Sequence, residues 1–134
     1  MLMKFCAAKL ERLVNKMSNH LLKKILNQKL RKARVRSKVN GTSDRPRLSV
    51  NISNRQVTAQ LIDDVNHNTI AASTSINNTK LGNLADKAQF VGTDIAKKAK
   101  KAGVKSVVFD RNGHKYAKRL TALAEAARKE GLEF

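Results

Sequence analysis

The run RPRLSVNISNRQVTAQLIDD, residues 45–64, decides the fold. Pro46 follows Arg45 and opens the run with extended backbone. Leu48, Val50 and Ile52 then alternate with Ser49 and Asn51, the period of a half-buried strand. Ser53-Asn54-Arg55 reads as a turn, after which Val57, Ala59 and Leu61 alternate with Gln56, Thr58 and Gln60. A second turn is expected over Asp63 to Asn68, and a third short strand over Thr69 to Ser75. Three short strands joined by tight turns predict an antiparallel meander.

Downstream the period changes. Leu84, Ala88, Val91, Ile95, Ala99 and Ala102 recur at three and four, with Gly103 where a helix C-terminus favours glycine. Val107-Val108-Phe109 is a continuous apolar run, expected of a strand buried on both faces. A glycine-containing loop spans Asp110 to Lys115, and a last helix carries Tyr116, Leu120, Leu123, Ala124 and Ala127 on one stripe. The order β-β-β-α-β-α implies an α/β (α+β) fold. Its mixed sheet combines the three-stranded antiparallel meander with one parallel strand, under two covering helices. Upstream, Leu10, Leu13, Val14, Met17, Leu21 and Ile25 predict an amphipathic basic helix over residues 10–26. Residues 39–44 read as a linker. The expected division is a basic N-terminal extension and arm at 1–44 and a globular domain at 45–134.

Charge sets the partner class. The 134 residues carry 28 Lys+Arg against 10 Asp+Glu, a net charge of +18. Such a balance implies a polyanion, either nucleic acid or an anionic membrane surface. Residues 1–47 hold 14 basic and 2 acidic side chains, so about a third of the chain carries two thirds of the net charge. The densest block is Lys23, Lys24, Lys29, Arg31, Lys32, Arg34, Arg36 and Lys38, with no acid among them. Like charges in a block repel and fold poorly alone. Mixed Lys and Arg can grip phosphate, Arg through a bidentate fork. The block therefore reads as an arm that orders on phosphate.

Other classes fare worse. The single cysteine, Cys6, excludes an internal disulfide and a cysteine zinc cluster, and reads as a free thiol of a cytoplasmic protein. No run of about 18 apolar residues is present for a transmembrane helix. No cofactor and no small-molecule substrate are expected, because no glycine-rich phosphate loop occurs. A metal-dependent nuclease would need clustered carboxylates. The candidates Asp63, Asp64 and Asp110 border turns or end a strand, and Leu48 to Ser53 carries no acid. The alternative to a specific RNA binder is a general basic nucleic-acid-binding protein, for DNA or RNA.

Arg45-Pro46-Arg47-Leu48-Ser49-Val50 with Ser53-Asn54-Arg55 resembles the first strand and turn of the bacterial large-subunit ribosomal protein eighteen family, which binds 5S rRNA. Ala59-Gln60-Leu61-Ile62-Asp63-Asp64, Val107-Val108-Phe109-Asp110-Arg111-Asn112-Gly113, Tyr116, Arg119, Ala122-Leu123-Ala124, Ala126-Ala127-Arg128 and the closing Gly131-Leu132-Glu133-Phe134 are similar to it in the same order. The likeness spans residues 22–134, and family members start near Met17. It implies a ribonuclease-H-like motif, and binding to 5S rRNA in the central protuberance of the large ribosomal subunit. It also implies contacts with large-subunit (23S-type) rRNA and with neighbouring proteins there. The chain departs from the family pattern at Asn51, Ile52, Gln56, Thr58, His114, Ala117 and Lys118, which puts individual contacts in doubt.

Two contributions to RNA binding are expected. Phosphate neutralisation by the arm, with Arg45 and Arg47, is sequence-independent and salt-sensitive. Shape recognition falls to two loops, because RNA helices hide their bases in a deep groove. Ser53, Asn54 and Arg55 offer a hydroxyl, an amide and a guanidinium. Arg111, Asn112, Gly113, His114, Lys115 and Tyr116 lead into the last helix, with Lys118 and Arg119 one turn on. Gly113 is expected to let backbone approach a phosphate, beside helix N-terminal amides. On spacing alone Tyr116 suits core and contact equally, and the resemblance places it at the interface. His114 by itself reads as a solvated loop residue.

Overall fold

The computed structural model describes residues 19–76, 78 and 82–134. Helix α1 spans Asn19–Arg36, and strands β1, β2 and β3 span Arg47–Ile52, Val57–Asp63 and Asn68–Thr74. Helix α2 (Leu84–Lys101), strand β4 (Val108–Asp110) and helix α3 (Lys118–Lys129) follow. The sheet order is β3-β2-β1-β4. β1 pairs antiparallel with β2, and β2 with β3, while β4 runs parallel to β1. The mixed sheet is the one the sequence predicts.

Register follows the apolar alternation. Leu48 lies opposite Leu61, Val50 opposite Ala59 and Ile52 opposite Val57. A slip of one residue would turn this set to solvent. The set packs on Ala88, Val91, Ile95 and Ala99 of α2 and Leu120, Leu123 and Ala127 of α3 in one core.

Three expectations need correction. The helix expected over 10–26 is seen from Asn19 and continues through the basic block to Arg36, while residues 1–18 lie outside the described ones. Lys, Leu, Gln, Arg and Ala are good helix formers, and no glycine or proline intervenes before Gly41. Secondly, the strand at 107–109 is not buried on both faces. β4 is a three-residue edge strand with Val108 and Phe109 half-buried, and Phe109 stacks on Phe134 at 5.2 Å between centroids. Thirdly, Tyr116 stands before α3, not on its stripe. Ala117 is extended, which delays the helix to Lys118, and Tyr116 meets Phe109 edge-on at 6.4 Å.

Arg47 also departs from expectation. It is turned inward and only 7% exposed. Its Nε and Nη2 donate to Asp64 at 2.9 and 2.8 Å, and its Nη1 donates to Asp110 at 3.0 Å. Asp110 is 1% exposed and also accepts from the Asn112 amide at 2.8 Å. One guanidinium thus joins the end of β2 to the end of β4 across β1. The Arg47 hydrogen bonds are the largest cause holding the Asp64 carboxyl well below its usual range.

Removing one partner of a buried pair strands the other, at a cost of about 3–5 kcal/mol. Arg47→Ala is accordingly expected to lower unfolding free energy by about that amount in urea denaturation. An unchanged stability accompanied by weaker RNA binding would instead return Arg47 to the surface role.

Candidate nucleic-acid interface

The arm is attached at few points. Arg31 Nε donates to the Gly113 carbonyl at 3.1 Å, and Arg36 lies 3.6 Å from Asp64. Gly113 has φ +76, and a Cβ there would sit 3.2 Å from the Gln28 carbonyl and from Lys32. The close approach that this glycine permits here is to α1. Lys23, Lys24, Lys29, Lys32, Arg34 and Lys38 are exposed, whereas Arg31 and Arg36 are half-buried by these contacts.

The linker is seated as well. Gly41 donates its amide to Asp64 at 2.8 Å, and the Ser43 hydroxyl donates to Asp63 at 2.9 Å. Asp63 also accepts from Asn66 Nδ2 at 2.8 Å. The carboxylates that a nuclease would need are thus committed to a guanidinium, amides and a hydroxyl. Arg45 is exposed, with its Nε donating to the Val107 carbonyl at 3.3 Å.

The two predicted loops meet. Ile52, Ser53 and Asn54 face His114, Lys115, Ala117, Lys118, Arg119 and Leu120 across a cleft of about 540 Å³. A second hollow of about 470 Å³ shares Asn54 and Arg119 and adds Arg55, Gly82, Asn83 and Lys87. Among the described residues, the combined groove has five cations, Arg55, Lys87, Lys115, Lys118 and Arg119, and no acid in its walls. Arg55, Lys115, Lys118 and Arg119 are exposed, as is Tyr116 at 51%.

Helix ends sharpen this charge. The first turn of α3 contains no acid, and Ala117 offers no side-chain cap, so its leading amides lack that partner. Lys118 and Arg119 add cations at the positive end of the helix dipole, where anions are favoured. α2 starts at the same groove, with Lys87 close to its N-terminus. Lys87 is a wall cation of the groove that the sequence reading does not name. Its Nζ donates to the Arg55 carbonyl at 2.9 Å, bracing the β1–β2 turn. A cation so near a helix start was the available signal.

Not every loop residue is free for a ligand. The Ser53 hydroxyl accepts from the Gln56 amide at 2.9 Å and shapes its own turn. Asn112, at φ +51, is half-buried, and Arg111 Nη1 donates to the His114 carbonyl at 3.2 Å. His114 Nε2 lies 3.4 Å from the Ile52 amide and 3.3 Å from Asn51 Oδ1. His114 is thus a half-buried wall of the cleft, tied to two positions where the chain departs from the family pattern.

Burial, and then the charge of Arg31, push the His114 pKa below 6.5. The neutral ring is the folded form, so its contribution to stability is complete above about pH 6.5 and is lost as pH falls below it. Denaturant unfolding at pH 7.5 and pH 5 is expected to show a smaller acid loss for His114→Gln than for the natural protein. Equal losses would contradict the assignment.

Residues 22–134 match the family model described as ribosomal L18 of archaea, bacteria, mitochondria and chloroplast. The large ribosomal subunit protein uL18 of Porphyromonas gingivalis is 50% identical over 103 residues, covering 77% of this chain and 90% of that protein. Its namesake in Listeria monocytogenes is 47% identical over 119 residues, covering 85% and 100%. That of Bacteroides thetaiotaomicron is 48% identical over 103 residues. With a family match over most of its length and such identities, the chain belongs to the L18 family of ribosomal proteins.

Proposed function

We propose that this protein binds 5S rRNA and helps attach it to the large-subunit rRNA in the central protuberance. Family membership makes the chain a structural, non-catalytic constituent of the large ribosomal subunit, with rRNA and ribosomal proteins as partners. The choice of 5S rRNA, the residues that touch it and a separate RNA-binding role for the arm are our reading. The observation that carries it is the convergence of both loops on one groove walled, among the described residues, by Arg55, Lys87, Lys115, Lys118 and Arg119 and by no acid.

In this reading the arm and the groove divide the work. Lys23, Lys24, Lys29, Lys32, Arg34 and Lys38 of the arm neutralise phosphates and supply sequence-independent affinity. The groove fits the backbone of folded RNA, its floor set by the Ser53 turn and His114, with Tyr116 at its lip for stacking or 2′-hydroxyl contact. Low aromatic content, 4% of the chain, suits structured RNA better than a single-strand stacking platform. Arg31, Arg36 and Arg47 serve mainly to place these surfaces.

The test compares 5S rRNA with an unrelated folded RNA of similar length across salt. Neutralising Lys29, Lys32 and Arg34 to Gln is expected to weaken both RNAs and to flatten the salt slope by roughly 0.7–0.9 for each phosphate no longer engaged. Neutralising Arg55, Lys118 and Arg119 is expected to erase the preference for 5S rRNA that persists at high salt. If the natural protein holds both RNAs alike and releases them together as salt rises, it is a general basic nucleic-acid binder in isolation.

A further inference from the structure

We infer that Asp64 is a positioning residue for RNA binding, an acid that raises affinity for a polyanion by fixing the root of the basic arm. The inference rests on the reading that arm and groove bind RNA together. Asp64 is where the arm, the linker and the sheet converge. Its Oδ2 accepts from the Gly41 amide at 2.8 Å and from Arg47 Nε at 2.9 Å, and Arg36 Nη1 stands 3.6 Å away. Its Oδ1 accepts from Arg47 Nη2 at 2.8 Å. Its own amide donates to the Gly41 carbonyl at 3.3 Å, so linker and turn grip each other in both directions.

Gly41 shows how closely the linker is seated. A Cβ at this position would lie 2.6 Å from the Arg47 amide nitrogen and 2.6 Å from the Ile62 carbonyl oxygen. The chain therefore crosses the β1–β2 pair within backbone contact on its way out of the arm. Ser43, two residues on, is held by the neighbouring Asp63. The final turn of α1, through Arg36, answers to the same carboxylate as the linker.

Charge alone predicts the opposite effect. A protein of net charge +18 should bind RNA more tightly when it loses an acid. Neutralising Asp64 does uncover one cation, but the same carboxylate also anchors the end of α1 through Arg36 and the linker through Gly41. Its removal frees the root of the arm. Two surfaces held in register bind as one, an advantage that reaches 10²–10⁴ for well-matched linkage. Losing part of it is expected to weaken binding on the order of tenfold.

Asp64→Asn is compared with two other variants of the full chain in 5S rRNA titrations across salt. Asp44→Asn removes an exposed acid outside the clasp and is expected to bind equally well or slightly better. A four-residue Gly-Ser insertion between Val39 and Asn40 leaves the core untouched and detaches α1 from the seated linker. Asp64→Asn and the insertion are each expected to lose on the order of tenfold in affinity with the salt slope kept, because the same phosphates are engaged once bound. Amide exchange of the free variants is expected to quicken in residues 30–36 while β1 and β2 stay protected. That pattern separates loosening of the arm from loss of the fold. Binding by Asp64→Asn as tight as the natural protein's, or tighter, overturns the inference. So does weakening by Asp64→Asn that the insertion does not reproduce. Failure of the natural protein itself to prefer 5S rRNA would sink the underlying reading, a result visible before any variant is compared.

Discussion

One guanidinium organises the side of the molecule away from the apolar core. Arg47 spends its Nε, Nη1 and Nη2 on two carboxylates that arrive from the ends of different strands. Burying these charges is costly unless each is paired and hydrogen-bonded, and here they are. Two consequences follow from the geometry. Asp64, fixed by Arg47, seats the linker through Gly41. Asp110, fixed by the same residue, accepts the Asn112 amide and so shapes the loop whose Gly113 meets α1. The root of the arm and the loop beneath it are thus set by a single side chain that touches no solvent-facing ligand.

The apolar side of the sheet supplies cohesion, and the helix ends shape the charge of the groove. α2 and α3 both begin at the groove, where their leading amides lie beyond the intrahelical ladder and their dipoles are positive. Natural helices usually place acids there. α2 keeps that rule, with Asp86 in its first turn and Asn83 as its cap beside Lys87, whereas α3 places Lys118 and Arg119. Such local conflict is expected where a surface is built for a ligand of opposite charge. A net charge of +18 adds self-repulsion that an rRNA partner relieves.

The sheet was legible because its register is fixed by alternation. Leu48, Val50, Val57, Ala59 and Leu61 could bury together in only one phase. The helical periods at Ala88 to Ala99 and Leu120 to Ala127 were equally plain. The extent of α1 was less so, because helix propensity and charge repulsion pull in opposite directions over residues 23–36. β4 misled through composition, since three apolar residues in a row do not say whether a strand is central or at an edge. Of the candidate site, the two loops were named from sequence, but their approach across one cleft depends on the parallel pairing of β1 with β4. Arg47 was unreadable for the same reason. Its partners lie 17 and 63 residues away, and nothing local marks a buried arginine among exposed ones.

The central claim is that arm and groove form one RNA-binding surface. Photocrosslinking the protein to 5S rRNA and sequencing the adducted peptides tests it most directly. The account predicts adducts on residues 53–55 and 115–119 and on α1, all on the same RNA, with none on the buried Arg47. Adducts confined to the exposed lysines at the far end of α2, such as Lys97, Lys100 and Lys101, with the groove untouched, would contradict it.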